Sequence, residues 1–257
     1  MATMKDLLEA GKQGKKSIGT YMMTPAPFII ETMKAAGFDF VILDLEHERM
    51  TLTEVMQMIY VCDACGLATQ VRVPNVSEEY MKKALDIGAS CVKVPDVRTV
   101  EDAKNMVKWC KYPPLGHRGA CPFVRGNGYG TNRENCYKEA NEKTVISALI
   151  EGPEGIANMK DIIAVPGIDC VSIGQVDLSV TLGVPGQVFH EKVINAVLEA
   201  ADACLANGKQ LSVQVARPED LKLYKNHPAI TQIHTDTPPA LFYNACKSLC
   251  DGIRACC

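Results

Sequence analysis

The sequence predicts an α/β fold, a (β/α)8 TIM barrel, forming a single domain over residues 1–257. Three observations carry that expectation. Short β-branched apolar runs alternate with helix-like segments along the whole chain, about eight of each. A length of 257 residues suits a barrel built as one domain. No GxGxxG follows the first strand-like run, which weighs against a doubly wound dinucleotide-binding sheet.

Strands are expected to start near Ser17, Phe40, Ala68, Cys91, Val145, Cys170, Gln210 and Ile230. Helical patterns fill the intervals at 28–36, 52–64, 77–85, 100–109, 155–164, 188–206, 218–224 and 239–253. Thr51 with Glu54 reads as a capping box, and Ser77 before Glu78 as a second helix start. Gly37, Gly66, Gly88 and Gly208 fall where helices should end. The longest interval, 113–143, carries five glycines together with Arg118 and Arg125, and is expected to border the active site.

Composition narrows the function classes. The net charge of −3 offers no basic surface for nucleic acid. No run approaches the roughly 18 apolar residues of a membrane span. The first residues are polar and lysine-bearing, without an apolar signal core, so a cytoplasmic location is expected. Twelve cysteines are scattered, several within apolar runs. Cys62 and Cys65 form a CxxC on a helical pattern with no second pair nearby, which reads as helix thiols rather than a zinc knuckle. The terminal Cys246, Cys250, Cys256 and Cys257 have no assigned chemistry, and a reducing compartment suits them.

Neighbouring parallel strands bring their C-terminal ends to one face of a barrel. Four runs place reactive side chains there. Val145 to Ile150 ends in Glu151, and Cys170 to Val176 leads into Asp177. Phe40 to Leu43 ends in Asp44, Glu46 and His47, and Arg72 lies in the run from Gln70 to Pro74. Two carboxylates of this kind suit Mg²⁺ or Mn²⁺ with open positions for substrate. Each could instead cap a following helix. Asp44 could fix the tautomer of His47 if the chain turns after Leu45, and His47 could equally be an exposed loop residue. Glu46 is either a third carboxylate of the site or a solvated charge. Arg72, inside an apolar run, needs an anionic partner from protein or substrate, and substrate is the preferred reading. Backbone amides around Gly174 could cradle a carboxylate.

These pieces occur in a specific order: Phe38-Asp39-Phe40-Val41-Ile42-Leu43-Asp44-Leu45-Glu46-His47, Val71-Arg72-Val73-Pro74, Lys83-Ala84-Leu85-Asp86-Ile87-Gly88-Ala89, Tyr112-Pro113-Pro114 with Gly116-His117-Arg118-Gly119, Ile150-Glu151, and Ile173-Gly174 through Asp177-Leu178-Ser179. Over nearly the whole chain they resemble the HpcH/HpaI family of class II pyruvate aldolases.

The resemblance implies a barrel whose last helix is swapped between subunits of a homo-oligomer, a hexamer or trimer of dimers. It implies Mg²⁺, Mn²⁺ or Co²⁺ on Glu151 and Asp177. It assigns the proton to His47 with Asp44, the keto-acid oxygens to Arg72, and the carboxylate to amides near Gly174, Val176 and Asp177. Asp86 would reach a neighbouring subunit's site. The implied reaction is reversible cleavage of a 4-hydroxy-2-oxo acid, such as a 2-keto-3-deoxy sugar acid, to pyruvate and an aldehyde.

Some positions depart from the family pattern. Gln175 stands where proline is usual, Lys93 where an apolar residue is usual, and Tyr21 where many relatives have tryptophan. Asp96 and Arg98 make the end of the fourth strand unusually charged. Three alternatives follow: a Schiff-base aldolase using Lys93, a citrate-lyase-like enzyme acting on an acyl thioester, and a non-catalytic barrel that binds a keto acid. Otherwise Lys93 would face the helices with its amine reaching solvent.

Overall fold

A computed structural model describes residues 2–47 and 50–256. Eight strands form a closed barrel in sequence order: β1 (Ser17–Met22), β2 (Phe40–Asp44), β3 (Ala68–Arg72), β4 (Cys91–Val94), β5 (Val145–Ile150), β6 (Cys170–Ile173), β7 (Gln210–Gln214) and β8 (Ile230–Thr235). Every neighbouring pair is parallel, and β8 closes on β1 with Ser17 opposite Gln232. All eight strands start where the apolar runs place them. The signal is strong because β2 to β6 are buried on both faces. Strands covered on both sides read as continuous β-branched runs.

The helices are α1 (Met4–Lys12), α2 (Pro27–Ala35), α3 (Leu52–Cys65), α4 (Glu78–Asp86), α5 (Val100–Cys110), α6 (Cys136–Lys143), α7 (Pro153–Ala157), α8 (Met159–Ala164), α9 (Gln175–Thr181), α10 (Glu191–Ala206) and α11 (Pro238–Ala255). Thr51 and Glu54 close a reciprocal capping box on α3. Gly66 ends that helix at φ 74°, a left-handed turn that glycine adopts without Cβ strain. Ser77 is the N-cap of α4, but its side chain accepts no capping hydrogen bond. The pattern at 155–164 divides at Asn158 into α7 and α8, and Pro218–Tyr224 winds as a 3-10 turn.

Two apolar layers result. Outside the sheet, Val41, Leu43, Val71, Val92, Val94, Ile146 and Val171 belong to one core with helix residues such as Ile30, Met58, Met81, Met106 and Val197. Inside, Phe40, Ile42, Ala68, Cys91, Val145 and Cys170 pack with Met4 and Leu8. Helix α1 therefore plugs the amino-terminal end of the barrel. The polar N-terminal sequence hid this helix. Its traces are the Thr3/Asp6 capping box and the i, i+4 pair Met4 and Leu8.

The interval 113–143 does not border the strand ends that carry the carboxylates, contrary to the sequence expectation. It connects α5 to β5 and so lies toward the amino-terminal end of the barrel. There Arg118 donates to Asp86 at 2.7 Å, Arg125 pairs with Asp63 on α3, and α6 leads back into the sheet. Loop length alone could not reveal this, because only βα loops, not αβ loops, open onto the functional face.

Candidate active site

The ends of β1, β2, β3, β5, β6, β7 and β8 surround one cavity of about 320 Å³. Its lining includes His47, Arg72, Glu151, Gly174, Val176 and Asp177. Residues separated by up to 130 positions in the chain thus meet in one place, because successive strands end on the same rim.

Asp44 is fully buried at the end of β2, and its carboxylate accepts from Arg72 Nε and Nη2, both at 2.7 Å. This planar two-point pair fixes the guanidinium. Arg72 Nη1 also stands 2.9 Å from Glu46 Oε2. Burial alone would disfavour the arginine charge, but Asp44 with its neighbours outweighs it and holds the Arg72 pKa above its ordinary value. Arg72 therefore already has protein partners, correcting the preference for a substrate counter-ion, yet it still lines the cavity.

The turn after Leu45 is present, with Glu46 N donating to Asp44 Oδ1 at 3.1 Å. It does not pair His47 with Asp44. His47 Nε2 lies 3.8 Å from Glu46 Oε2, and its side chain is largely exposed at the cavity mouth. Asp44 orients Arg72, and the nearer carboxylate to His47 is Glu46. Three residues along a strand-to-loop turn do not by themselves distinguish these two acids.

Glu151 follows β5 directly. Its Oε1 accepts from Asp96 N at 3.0 Å. Asp96 adopts φ 49°, the left-handed conformation that aspartate tolerates better than most residues. The charged end of β4 thus serves the site through its backbone. A Cβ on Gly174 would fall 2.3 Å from Glu151 Oε2, so only glycine lets β6 pass this carboxylate. Burial first, and then Glu46 and Asp177, push Glu151 up to about 7. Burial likewise raises Glu46, with Arg72 opposing it. Three carboxylates sharing a confined space repel one another, and a cation would relieve that repulsion.

The donor set fits a hard divalent cation. Glu151 and Asp177 offer carboxylate oxygens to the cavity, while Glu46 Oε2 is buried against Arg72 Nη1. Among the described residues no three His, Cys, Asp or Glu side chains form a closed metal cage. A two-residue site keeps its other positions for water or substrate.

Asp177 lies in the first turn of α9, with Gly174 as N-cap. The amides of that turn have no intrahelical partners. Gly174 N is already donated to Ile150 O at 2.9 Å. Gly174 therefore provides room rather than a donor, which leaves the amides of Val176 and Asp177 as candidate donors in that turn. Gln175 is buried and braces this turn. Its Oε1 accepts from Gln214 N at 3.0 Å and its Nε2 donates to Val188 O at 3.0 Å.

Sequence reasoning missed the other wall, formed by Gln214, His234 and Asp236. Tyr21 stacks edge-on against His234 at 5.5 Å between centroids, and Arg72 Cζ lies 4.6 Å from the Tyr21 ring. His234 Nδ1 is 3.1 Å from Ser212 Oγ. Burial, then the Lys93 and Arg72 charges, hold His234 well below the usual histidine range. His234 sits in a strand of mixed polar and apolar residues, Ile230-Thr231-Gln232-Ile233-His234-Thr235, where a lone histidine carries no distinctive signal. Asp86 does not join this cavity in its own chain. It ends α4 at the opposite end of the barrel, paired with Arg118.

Comparison with known proteins agrees with this geometry. The sequence model of the HpcH/HpaI aldolase/citrate lyase family matches residues 17–225. A 4-hydroxy-2-oxovalerate aldolase from Rhodococcus jostii (strain RHA1) is 33% identical over 221 residues, covering 85% of this chain and 84% of the relative. A 5-keto-4-deoxy-D-glucarate aldolase from Shigella boydii serotype 18 is 30% identical over 237 residues, covering 92% and 91%. The crystal structure of an HpcH/HpaI aldolase from Desulfitobacterium hafniense DCB-2 superposes with a TM-score of 0.90 at 27% identity, over 99% of this chain and 97% of that one. The barrel, the ordered motifs at its carboxyl rim and these relatives together show that the chain belongs to the HpcH/HpaI aldolase/citrate lyase family.

Proposed function

We propose that this chain is a class II aldolase that reversibly cleaves a 4-hydroxy-2-oxo acid, of the 2-keto-3-deoxy sugar acid kind, to pyruvate and an aldehyde. The observation that carries this reading is the convergence of Glu151, Asp177, Arg72 and His47 on one cavity. Glu151 and Asp177 would hold Mg²⁺, Mn²⁺ or Co²⁺. Such an ion, when bound, supplies Lewis acidity toward the ketone and carboxylate oxygens of the keto acid.

The protein's own residues do the rest. Arg72, locked by Asp44, presents a fixed positive charge to the keto-acid oxygens as negative charge develops there. The free amides of Val176 and Asp177 orient the substrate carboxylate. His47 accepts the proton of the C4 hydroxyl as the C3–C4 bond breaks, and Glu46 beside it stabilises the resulting imidazolium. The electron pair of that bond becomes the enolate of pyruvate, which is protonated at C3 after the aldehyde leaves. The polar wall of Gln214, His234 and Asp236 borders the space for the aldehyde part.

A homo-oligomer, hexamer or trimer of dimers, belongs to the same proposal. Helix α11 has no buried residue, and Phe242, Tyr243, Leu249 and Ile253 are exposed on it. An 18-residue amphipathic helix with its apolar side chains in water is suited to packing on a second copy. Asp86 is then proposed to act in a neighbouring copy's site. A cytoplasmic setting is also proposed; the cysteines among the described residues are free thiols. No helix among the described residues is long and apolar enough to cross a membrane.

A direct test combines pyruvate with a panel of aldehydes, with and without added Mg²⁺, Mn²⁺ or Co²⁺. The expected result is carbon–carbon bond formation that a chelator stops and added metal restores. Metal-independent turnover, or no product from any aldehyde, would contradict the assignment.

A further inference from the structure

Lys93 is fully buried in the barrel lumen, and the reaction described above does not use it. It does not face the helices, as its sequence context allowed. It is the register partner of Arg72 on the adjacent strand, so both side chains point inward. Its amine donates to Ser172 Oγ at 2.7 Å and lies 5.5 Å from the centroid of the Tyr21 ring. Lys93 does not line the cavity, whereas Tyr21, Leu149 and His234 do. The amine therefore sits beneath the floor and not at its surface.

Burying a lone cation is costly unless something compensates it. Arg72 is compensated by Asp44 and Glu46. Among the described residues Lys93 makes no salt bridge of its own. What stands above it is the carboxylate cluster of the cavity. Asp44, Glu46, Glu151 and Asp177 with Arg72 and Lys93 carry a formal charge of −2, and Asp236 on the opposite wall adds one more negative charge. Arg72 is already paired with Asp44 and Glu46, so among the described residues Lys93 is the cation near the keto-acid end that has no carboxylate partner.

We propose that Lys93 is a buried positioning cation: it anchors Ser172 and the Tyr21 ring under the cavity and lends the keto-acid end of the site a positive charge that favours the substrate anion and its enolate. This rests on the proposed aldolase reading and extends it to a residue that departs from the family pattern. The placement argues against a Schiff base, because the amine is occupied by Ser172 below the lining residues.

A buried charge has a signature that packing lacks. Replacing it by a neutral side chain of similar volume should move cation and anion binding in opposite directions. At a separation of about 10 Å and an effective dielectric of about 20, a unit charge acting on a divalent ion changes an equilibrium constant by on the order of a hundredfold. The test uses Lys93→Met and Lys93→Arg in the full chain. Mn²⁺ affinity is measured first, then the affinity of the Mn²⁺-loaded protein for oxalate, a planar dianion shaped like the enolate. Lys93→Met is expected to bind Mn²⁺ more tightly, and oxalate more weakly, each by between about tenfold and a hundredfold. Lys93→Arg should stay within about threefold of the parent on both.

In metal-free protein, the His234 ring resonances should titrate at higher pH in Lys93→Met, since a nearby cation has gone. The groups facing that ring are Tyr21, Arg72, Lys93 and Ser212. This readout needs no metal, so it reports on Lys93 even where the parent binds no Mn²⁺, a result that would count against the aldolase reading alone. Should Lys93→Met not fold, Lys93→Gln carries the same measurements. Parallel changes in Mn²⁺ and oxalate affinity, an unmoved His234, or a Lys93 adduct trapped with pyruvate and borohydride would each overturn the proposal.

Discussion

The two ends of this barrel are built from the same eight strands and solve different problems. At the amino end, Phe40, Ile42, Ala68, Cys91, Val145 and Cys170 fill the lumen and α1 closes it with Met4 and Leu8. At the carboxyl end, the same strands finish in Asp44, Arg72, Glu151 and the turn bearing Asp177. One end gains stability by excluding water. The other confines three mutually repelling carboxylates, Glu46, Glu151 and Asp177, a repulsion that a bound cation would relieve. The layer between them is polar and partly satisfied: Gln70 Nε2 donates to Gln232 Oε1 at 2.9 Å and Lys93 to Ser172, while Gln70 Oε1 and Gln232 Nε2 are buried without a partner. The contrast separates function from fold along one axis of the molecule.

That separation can be broken by substitution. The largest effect should come from His47→Ala at the carboxyl end. Turnover is expected to fall about 10²–10⁴-fold, the range for loss of a positioned general base. Thermal stability and Mn²⁺ affinity should barely change, because His47 is exposed and is not a proposed ligand. Wild-type turnover in this variant would remove His47 from the proton step.

At the amino end the pattern should invert. Phe40→Ala empties a fully buried position between the Gly19 backbone and the inner core. It should cost about 3–5 kcal/mol of stability, read as a lower denaturant midpoint with an unchanged slope. Mn²⁺ affinity at temperatures where the protein stays folded should match the parent. A matching loss of metal affinity would show that the two ends are coupled.

Thr51→Ala sharpens the comparison from outside the lumen. It removes the side chain that caps α3 and should cost about 1 kcal/mol. Neither turnover nor metal affinity should follow.

The barrel was legible in the sequence because doubly covered strands leave uninterrupted apolar runs, and all eight were found at their first residue. The helices that escaped were short or polar. α1 carries two core anchors, Met4 and Leu8, in a lysine-bearing segment; α6 lies in the glycine-rich interval; α9 spans seven residues. For the site, the strand-end rule brought Glu151, Asp177, Arg72 and His47 to one cavity. What it could not supply was pairing. Asp44 faces Arg72 rather than His47, Gly174 spends its amide on Ile150, and Asp96 serves Glu151 through its backbone. These depend on which way a turn points, and residue types leave that open. Asp86 and the 113–143 segment went to the far end because an αβ connection runs away from the rim.

The central claim is that Glu151 and Asp177 jointly hold one divalent cation. Titrating Mn²⁺ into metal-free protein, parent and Asp177→Ala side by side, measures it without any substrate. One ion per chain in the parent, and affinity weaker by more than about 100-fold in a still-folded Asp177→Ala, is the predicted result; loss of an outer-shell partner alone costs 10–100-fold. Equal Mn²⁺ affinity in the two proteins would contradict the account.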